Sequence, residues 1–198
     1  MSTNTLIHRI VRPAVRAVAK TRMTPNHITT LRLASGIAAA LAFAAGDAGW
    51  STAGGVIFVV SMLLDRADGE LARQTGQSSR AGYWYDIISD GASNVLAMLG
   101  IGIGLWDSWG IAGPLLGGLA GAGIGALFVQ LFVLRLAQPR GYEVAPGIIL
   151  DPDDALILVP VFVWTGLAFP MLVAGALIAP LAALWIGLRA ARPRRARQ

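Results

Sequence analysis

Four aspartates and a glutamate fall within DRADGELARQTGQSSRAGYWYDIISD, Asp65 to Asp90, between the apolar runs GGVIFVVSMLL and GASNVLAMLGIGIGLW. The whole chain has only eleven acidic residues, so this concentration asks for a chemical reason. Asp65 and Asp68 are three residues apart and Asp86 and Asp90 four apart, so on helices each pair shares a face. Two such helices, joined by a short polar loop, are expected to run antiparallel with their acidic faces meeting. Carboxylates gathered in a low dielectric repel one another and resist ionising together. A divalent cation relieves both problems. The chain has no cysteine, and oxygen-only ligands favour Mg²⁺ or Mn²⁺ over Zn²⁺. Mg²⁺ usually completes its shell with substrate phosphates, so the natural ligand bears a phosphate. Gly69 and Gly82 leave room for a close approach, and Arg73, one turn past the acids, is suited to grip a phosphate. The plainer alternative is a set of ion pairs with Arg66, Arg73 and Arg80. Glu70 is expected to point away from the aspartate set.

The elements that carry these residues read as membrane helices. Of 198 residues, 55% are hydrophobic and 14% charged, against about 25% charged in a soluble domain. Mean hydropathy is +0.62. Six apolar segments approach the length needed to cross a bilayer: 27–46, 53–74, 80–105, 110–136, 154–169 and 171–188. The last two form a nearly continuous run with its turn expected at Phe169-Pro170. Residues 1–22 read as an amphipathic juxtamembrane segment, with Ile7, Ile10, Val11, Val15 and Val18 against Arg9, Arg12, Arg16 and Lys20. This predicts an all-α polytopic protein: the N-terminal segment, a six-helix domain over 23–190, and a basic tail over 191–198. The N-terminus lacks the pattern of a cleavable signal.

Lys and Arg cluster before the first segment, between the second and third, between the fourth and fifth, and after the sixth. That bias predicts both termini, and the acidic cluster near the even-numbered connections, on the cytoplasmic side of a cell (inner) membrane. Arg32 counts among these as a residue near the start of the first span, leaving Arg66 as the arginine inside one. The net charge of +5 is thereby a topology and anionic-lipid signal, and no nucleic-acid partner is expected. Trp50, Trp106 and Trp109 gather on the opposite side, as in an aromatic belt.

The pattern Asp65-x2-Asp68-Gly69-x2-Ala72-Arg73-x8-Gly82-x3-Asp86-x3-Asp90 resembles, at every signature position, that of the CDP-alcohol phosphotransferases. The upstream Thr24-Pro25-Asn26-His27-Ile28-Thr29 is similar to the segment before that family's first span, although it reads equally well as a helix start capped by Thr24 or Asn26. The resemblance implies transfer of a substituted phosphate from a CDP-alcohol, most often CDP-diacylglycerol, to an alcohol acceptor, with release of CMP, in phospholipid synthesis. It implies Asp65, Asp68, Asp86 and Asp90 as ligands of Mg²⁺ or Mn²⁺, with two ions, and Asp90 as general base. It also implies Asn26, Thr29, Gly69, Arg73, Ser79 and Gly82 around the cytidine diphosphate, and a homodimer as a possible assembly.

The acceptor side is expected near the cytoplasmic ends of the later helices, where Arg135, Asp153 and Asp154 are the candidates, with Gln130 nearby. The acidic DPDD at 151–154 suggests an acceptor without a phosphate, neutral or amine-bearing. The same aspartates serve equally as caps for a helix N-terminus. Among other classes, a transporter can use intramembrane aspartates but has no need of the Gly69/Arg73/Gly82 pattern. A membrane prenyltransferase needs two separated Asp-rich motifs, and only one is present. A scaffold has no use for Asp90. A different CDP-alcohol donor remains compatible with the same residues.

Overall fold

The computed structural model describes residues 6–136, 142–145, 148–150 and 152–191. Helix α1 spans Leu6–Val18, α2 Pro25–Ala44, α3 Ala48–Thr75 and α4 Arg80–Gly104. A single turn, α5 (Trp106–Trp109), leads into α6 (Ala112–Phe128), whose winding loosens into a π-helical turn over Val129–Val133. A short antiparallel hairpin follows, β1 (Tyr142–Ala145) paired with β2 (Ile148–Leu150). A 3₁₀ turn over Pro152–Ile157 then enters α7 (Leu158–Trp164), and α8 (Ala168–Ala191) ends the described chain.

Local sequence explains the helix ends. Thr24 caps α2: its hydroxyl accepts from the His27 N–H at 3.4 Å, and His27 Nδ1 accepts from the Thr24 N–H at 3.3 Å. Pro25 occupies the first helical position, where a missing N–H costs nothing. Asp47 caps α3 through the Trp50 N–H. Gly76, at φ 68°, ends α3 in the left-handed conformation that only glycine adopts without strain. Ser79 caps α4 by accepting from the Gly82 N–H at 3.0 Å.

All six apolar segments are helical. Five, α2, α3, α4, α6 with its π turn, and α8, are long and apolar enough to cross a membrane. The fifth segment is shorter, with Ala155–Trp164 as its apolar helix. Its break from α8 lies at Thr165–Leu167, around Gly166 at φ 75°, and not at Phe169-Pro170. Phe169 and Pro170 sit in the first turn of α8, the part of a helix that tolerates proline. The hairpin is an addition to the expected all-helical layout.

The bundle is polar inside and apolar outside at one end. Leu41, Ile88, Leu115, Ile178 and Leu181 are more than half exposed, whereas Arg32, Arg66, Asp68, Ser93 and Asn94 are buried. Alanines 39, 97, 120 and 176 interleave with Phe43, Phe58, Met98 and Leu172 to form the main core. Val11 and Val15 of α1 pack with Leu71 of α3 and Ile28 of α2, while Ile10 remains exposed.

Helix α2 packs extensively on both α3 and α4, which touch each other little. The acidic helices are therefore bridged by α2 and do not meet face to face as direct neighbours. Small residues permit this approach. A Cβ on Gly100 would run into the Ala40 carbonyl of α2, and one on Gly123 would lie 2.6 Å from the Pro180 ring of α8. At the opposite end, Trp109 stacks on Phe169 at 3.7 Å, and Trp164 Nε1 donates to the Thr52 carbonyl at 3.3 Å.

The glycine contact gives a direct test. Gly100→Ala forces a methyl against rigid backbone and is expected to destabilise by about 1–3 kcal/mol. Gly118→Ala, whose new methyl meets nothing within 4 Å, is the control. Thermal unfolding in detergent reads both, and equal midpoints for the two variants would contradict the packing described.

Candidate active site

The acidic end of the bundle contains two open clefts. Asp65, Asp68, Asp86 and Asp90 all line one of about 170 Å³, together with Phe128 and Phe132. The other, about 280 Å³, lies between the start of α2, the end of α3 and the start of α4, and is lined by Asn26, Thr29, Gly69, Arg73, Ser79 and Gly82 among others. The clefts share Asp68, Gly69, Arg73 and Asp86. The six residues expected around a nucleotide thus border one cavity, and the four expected at a metal border its neighbour.

Individual contacts refine these roles. Thr29 is buried, and its hydroxyl lies 2.7 Å from Asp68 Oδ2 as donor, so it orients that carboxylate as well as bordering the cleft. Asn26 is not the cap of α2, since Thr24 fills that position. A Cβ on Gly82 would stand 2.9 Å from Asn26 Oδ1, so the absence of a side chain there lets α2 and α4 close around the cleft. A Cβ on Gly69 would have only Arg73 Nη1, at 3.8 Å, within 4 Å. Ser79 lines the cleft while capping α4. Arg73 pairs with Glu70 at 2.6 Å, and Gln74 donates to the same carboxylate at 2.9 Å. Glu70 also lies 3.5 Å from Arg12 of α1, outside the aspartate set as expected. It holds the guanidinium of Arg73 at the junction of the clefts.

Arg32 is the residue that sequence reasoning missed. It belongs to the interior of α2, is 3% exposed, and reaches both acidic helices. Its Nη2 hydrogen-bonds Asp90 Oδ1, and its Nε lies 3.1 Å from Asp65 Oδ1, a separation that makes an ion pair without hydrogen-bond alignment. Arg66 Nη1 stands 3.5 Å from the other Asp65 oxygen. Asn94 Nδ2 donates to Asp90 Oδ1 at 2.9 Å. Arg66 is therefore not the lone intramembrane arginine. The signal was present in the spacing: Ile28, Thr29, Arg32 and Gly36 recur at helical intervals and are all buried.

As the side chains stand, no three described carboxylates or histidines are gathered closely enough to hold a metal ion. The donor chemistry nonetheless fits a hard divalent cation. Four carboxylates border one cleft, and Asp86 Oδ1 is buried without a hydrogen-bond partner among the described residues. An acceptor oxygen in that condition is costly unless something positive completes it.

Of the acceptor candidates, Arg135 lines neither cleft. Arg135 is exposed, at φ 51°, just beyond the π turn. Gln130 donates to the Ala183 carbonyl at 3.0 Å and braces α6 against α8. Asp153 and Asp154 fall inside the 3₁₀ turn, whereas the residue preceding α7 is Ile157, with no side-chain cap. The Asp153 and Asp154 side chains and the tail from 192 lie outside what the structure describes.

Comparison with known proteins agrees with this arrangement. No curated protein sequence matches the chain. Among solved structures, the apo crystal structure of phosphatidylinositol phosphate synthase from Mycobacterium tuberculosis matches with a TM-score of 0.64 at 18% identity, covering 89% of this chain and 95% of that one. The likeness extends the shared fold well past the aspartates. The family model for CDP-alcohol phosphatidyltransferase matches residues 22–144, which include both clefts' α2, α3 and α4 walls. The chain is an integral membrane phosphotransferase and belongs to the CDP-alcohol phosphatidyltransferase family.

Proposed function

We propose that the protein transfers a phosphatidyl group from CDP-diacylglycerol to an alcohol, releasing CMP, at the cytoplasmic face of a cell membrane. The observation that carries this reading is the junction of the two clefts at Asp68, Gly69, Arg73 and Asp86. The cytidine end of the donor occupies the cleft of Asn26, Thr29, Ser79 and Gly82. Its diphosphate crosses the junction, where the open side of Gly69 admits it and Arg73, held by Glu70, offers a guanidinium to its oxygens. The transferred phosphorus then faces the cleft of Asp90.

Asp90 is the general base. It accepts the proton of the acceptor hydroxyl as that oxygen bonds to phosphorus, and the phosphorus–oxygen bond to CMP breaks with its electron pair leaving on CMP. Asn94 and Arg32 both hold Asp90 Oδ1. Mg²⁺ or Mn²⁺ held by Asp65, Asp68, Asp86 and Asp90 supplies neutralisation of the charge that builds on the diphosphate. Thr29 keeps Asp68 turned toward the cleft. The excess of Lys and Arg at the acidic end of the bundle supports a cytoplasmic site.

The direct assay follows CMP release from CDP-diacylglycerol with Mg²⁺ or Mn²⁺ and a panel of phosphorylated and unphosphorylated alcohols. Chelation by EDTA is expected to abolish turnover, and added Mn²⁺ to restore it; activity that survives EDTA rules out the metal role. Asp90→Asn is expected to lower kcat by about 10²–10⁴-fold, and unchanged turnover would reject Asp90 as the base. Gly69→Val fills the open side of the junction. We expect an unchanged melting midpoint and a rise of about tenfold in KM for the CDP-alcohol, corresponding to about 1.4 kcal/mol of lost binding. A native KM in that variant would remove the diphosphate from the junction.

A further inference from the structure

We propose that Arg32 is a resident cation of the aspartate cluster, a positioning residue that holds Asp65 and Asp90 from a third helix and competes electrostatically with the divalent metal. The inference rests on the metal reading above.

The geometry is specific. Asp65 lies on α3 and Asp90 on α4, two helices that touch each other little, and Arg32 of α2 contacts both carboxylates. A planar guanidinium can serve two carboxylates at once, whereas a lysine ammonium is a point charge. The Arg32 backbone is anchored as well, because its carbonyl accepts from Ser61 Oγ of α3 at 2.9 Å. A side chain 3% exposed and held by two carboxylates does not behave as a snorkelling arginine, which would extend its charge to the water interface.

Arg32 is also underused as a purely structural ion pair. Its Nη1 is buried and lacks a hydrogen-bond partner among the described residues. A small cavity lined by Arg32, Ser61, Asp65, Asp90, Ser93 and Asn94 lies beside it. A guanidinium with a spare donor beside a water-sized cavity holds its carboxylates without using every bond it could make. Since it shares two of the four proposed metal ligands, its charge opposes cation binding while its contacts keep those ligands assembled.

The two effects separate experimentally. Melting midpoints of full-length protein in detergent are measured in EDTA and in saturating Mn²⁺, and Mn²⁺ affinity is measured by electron paramagnetic resonance. Arg32→Gln is expected to lower the EDTA midpoint by about 8 °C, and Mn²⁺ should recover at least half of that deficit. Its Mn²⁺ affinity should rise about tenfold, as one positive charge leaves the cluster. Arg32→Lys, which keeps the charge, should stay within about threefold of native affinity and show a smaller EDTA deficit. A deficit of equal size in EDTA and in Mn²⁺, or weaker Mn²⁺ binding by the Gln variant, overturns the proposal and leaves Arg32 a structural ion pair. Identical behaviour of the Lys and Gln variants overturns it too. If Arg32→Gln does not fold, the Lys variant alone decides, since its deficit must shrink when Mn²⁺ is added. Native protein that binds no Mn²⁺ overturns the metal reading itself, an outcome distinct from the others.

Discussion

Carboxylates placed together in the apolar part of a helical bundle need positive charge within reach, since an uncompensated buried charge costs several kcal/mol. In this protein Asp65, Asp68, Asp86 and Asp90 impose that requirement, and much of the acidic end of the bundle answers it. Arg32 spans the gap between α3 and α4, and Arg66 flanks Asp65. Thr29 and Asn94 donate to Asp68 and Asp90 from opposite sides. Holding α3 and α4 apart, with α2 against both, leaves space between the acids where a substrate can enter.

The two ends of the bundle do different work. Around the tryptophans the helices approach closely through glycine and alanine, and aromatic contacts such as Trp109 on Phe169 join α5 to α8. At the acidic end the interior is polar and cavitied. Dense packing at one end allows the other to hold open clefts without the bundle collapsing, because interior packing transmits constraint along rigid helices.

Much of the acidic end was legible in the residues alone. The aspartate spacings, Gly69, Gly82 and the cap at Thr24 are local signals, and each governs structure within a turn or two of itself. Residues whose role depends on a distant partner were harder to read. Arg32 carries the same charge and sits in the same kind of sequence as the arginines that mark membrane sidedness, and only the packing of α2 between the acidic helices turns it inward. Gln130 is expected near the acceptor side, yet its partner is a carbonyl 53 residues away on α8. The break before α8 followed Gly166 and not Pro170, because proline is harmless in a first helical turn. The short fifth helix depended on where the preceding 3₁₀ turn ended, which hydropathy does not encode.

The π-helical turn over Val129–Val133 closes with the Leu134 N–H on the Val129 carbonyl at 2.8 Å, one residue further along than in an α-helix. This wider winding accommodates one extra residue next to Phe128 and Phe132, whose rings lie 5.0 Å apart in the wall of the cleft that the aspartates also line. Losing a single residue there would restore ordinary winding with the flanking faces still in register, because a π turn absorbs one extra residue. The composition of that wall is thus governed by chain length as much as by side-chain identity. A one-residue deletion at this position would change which side chains stand beside Phe128 and Phe132 while leaving the aspartates, the glycines and the rest of the bundle in register.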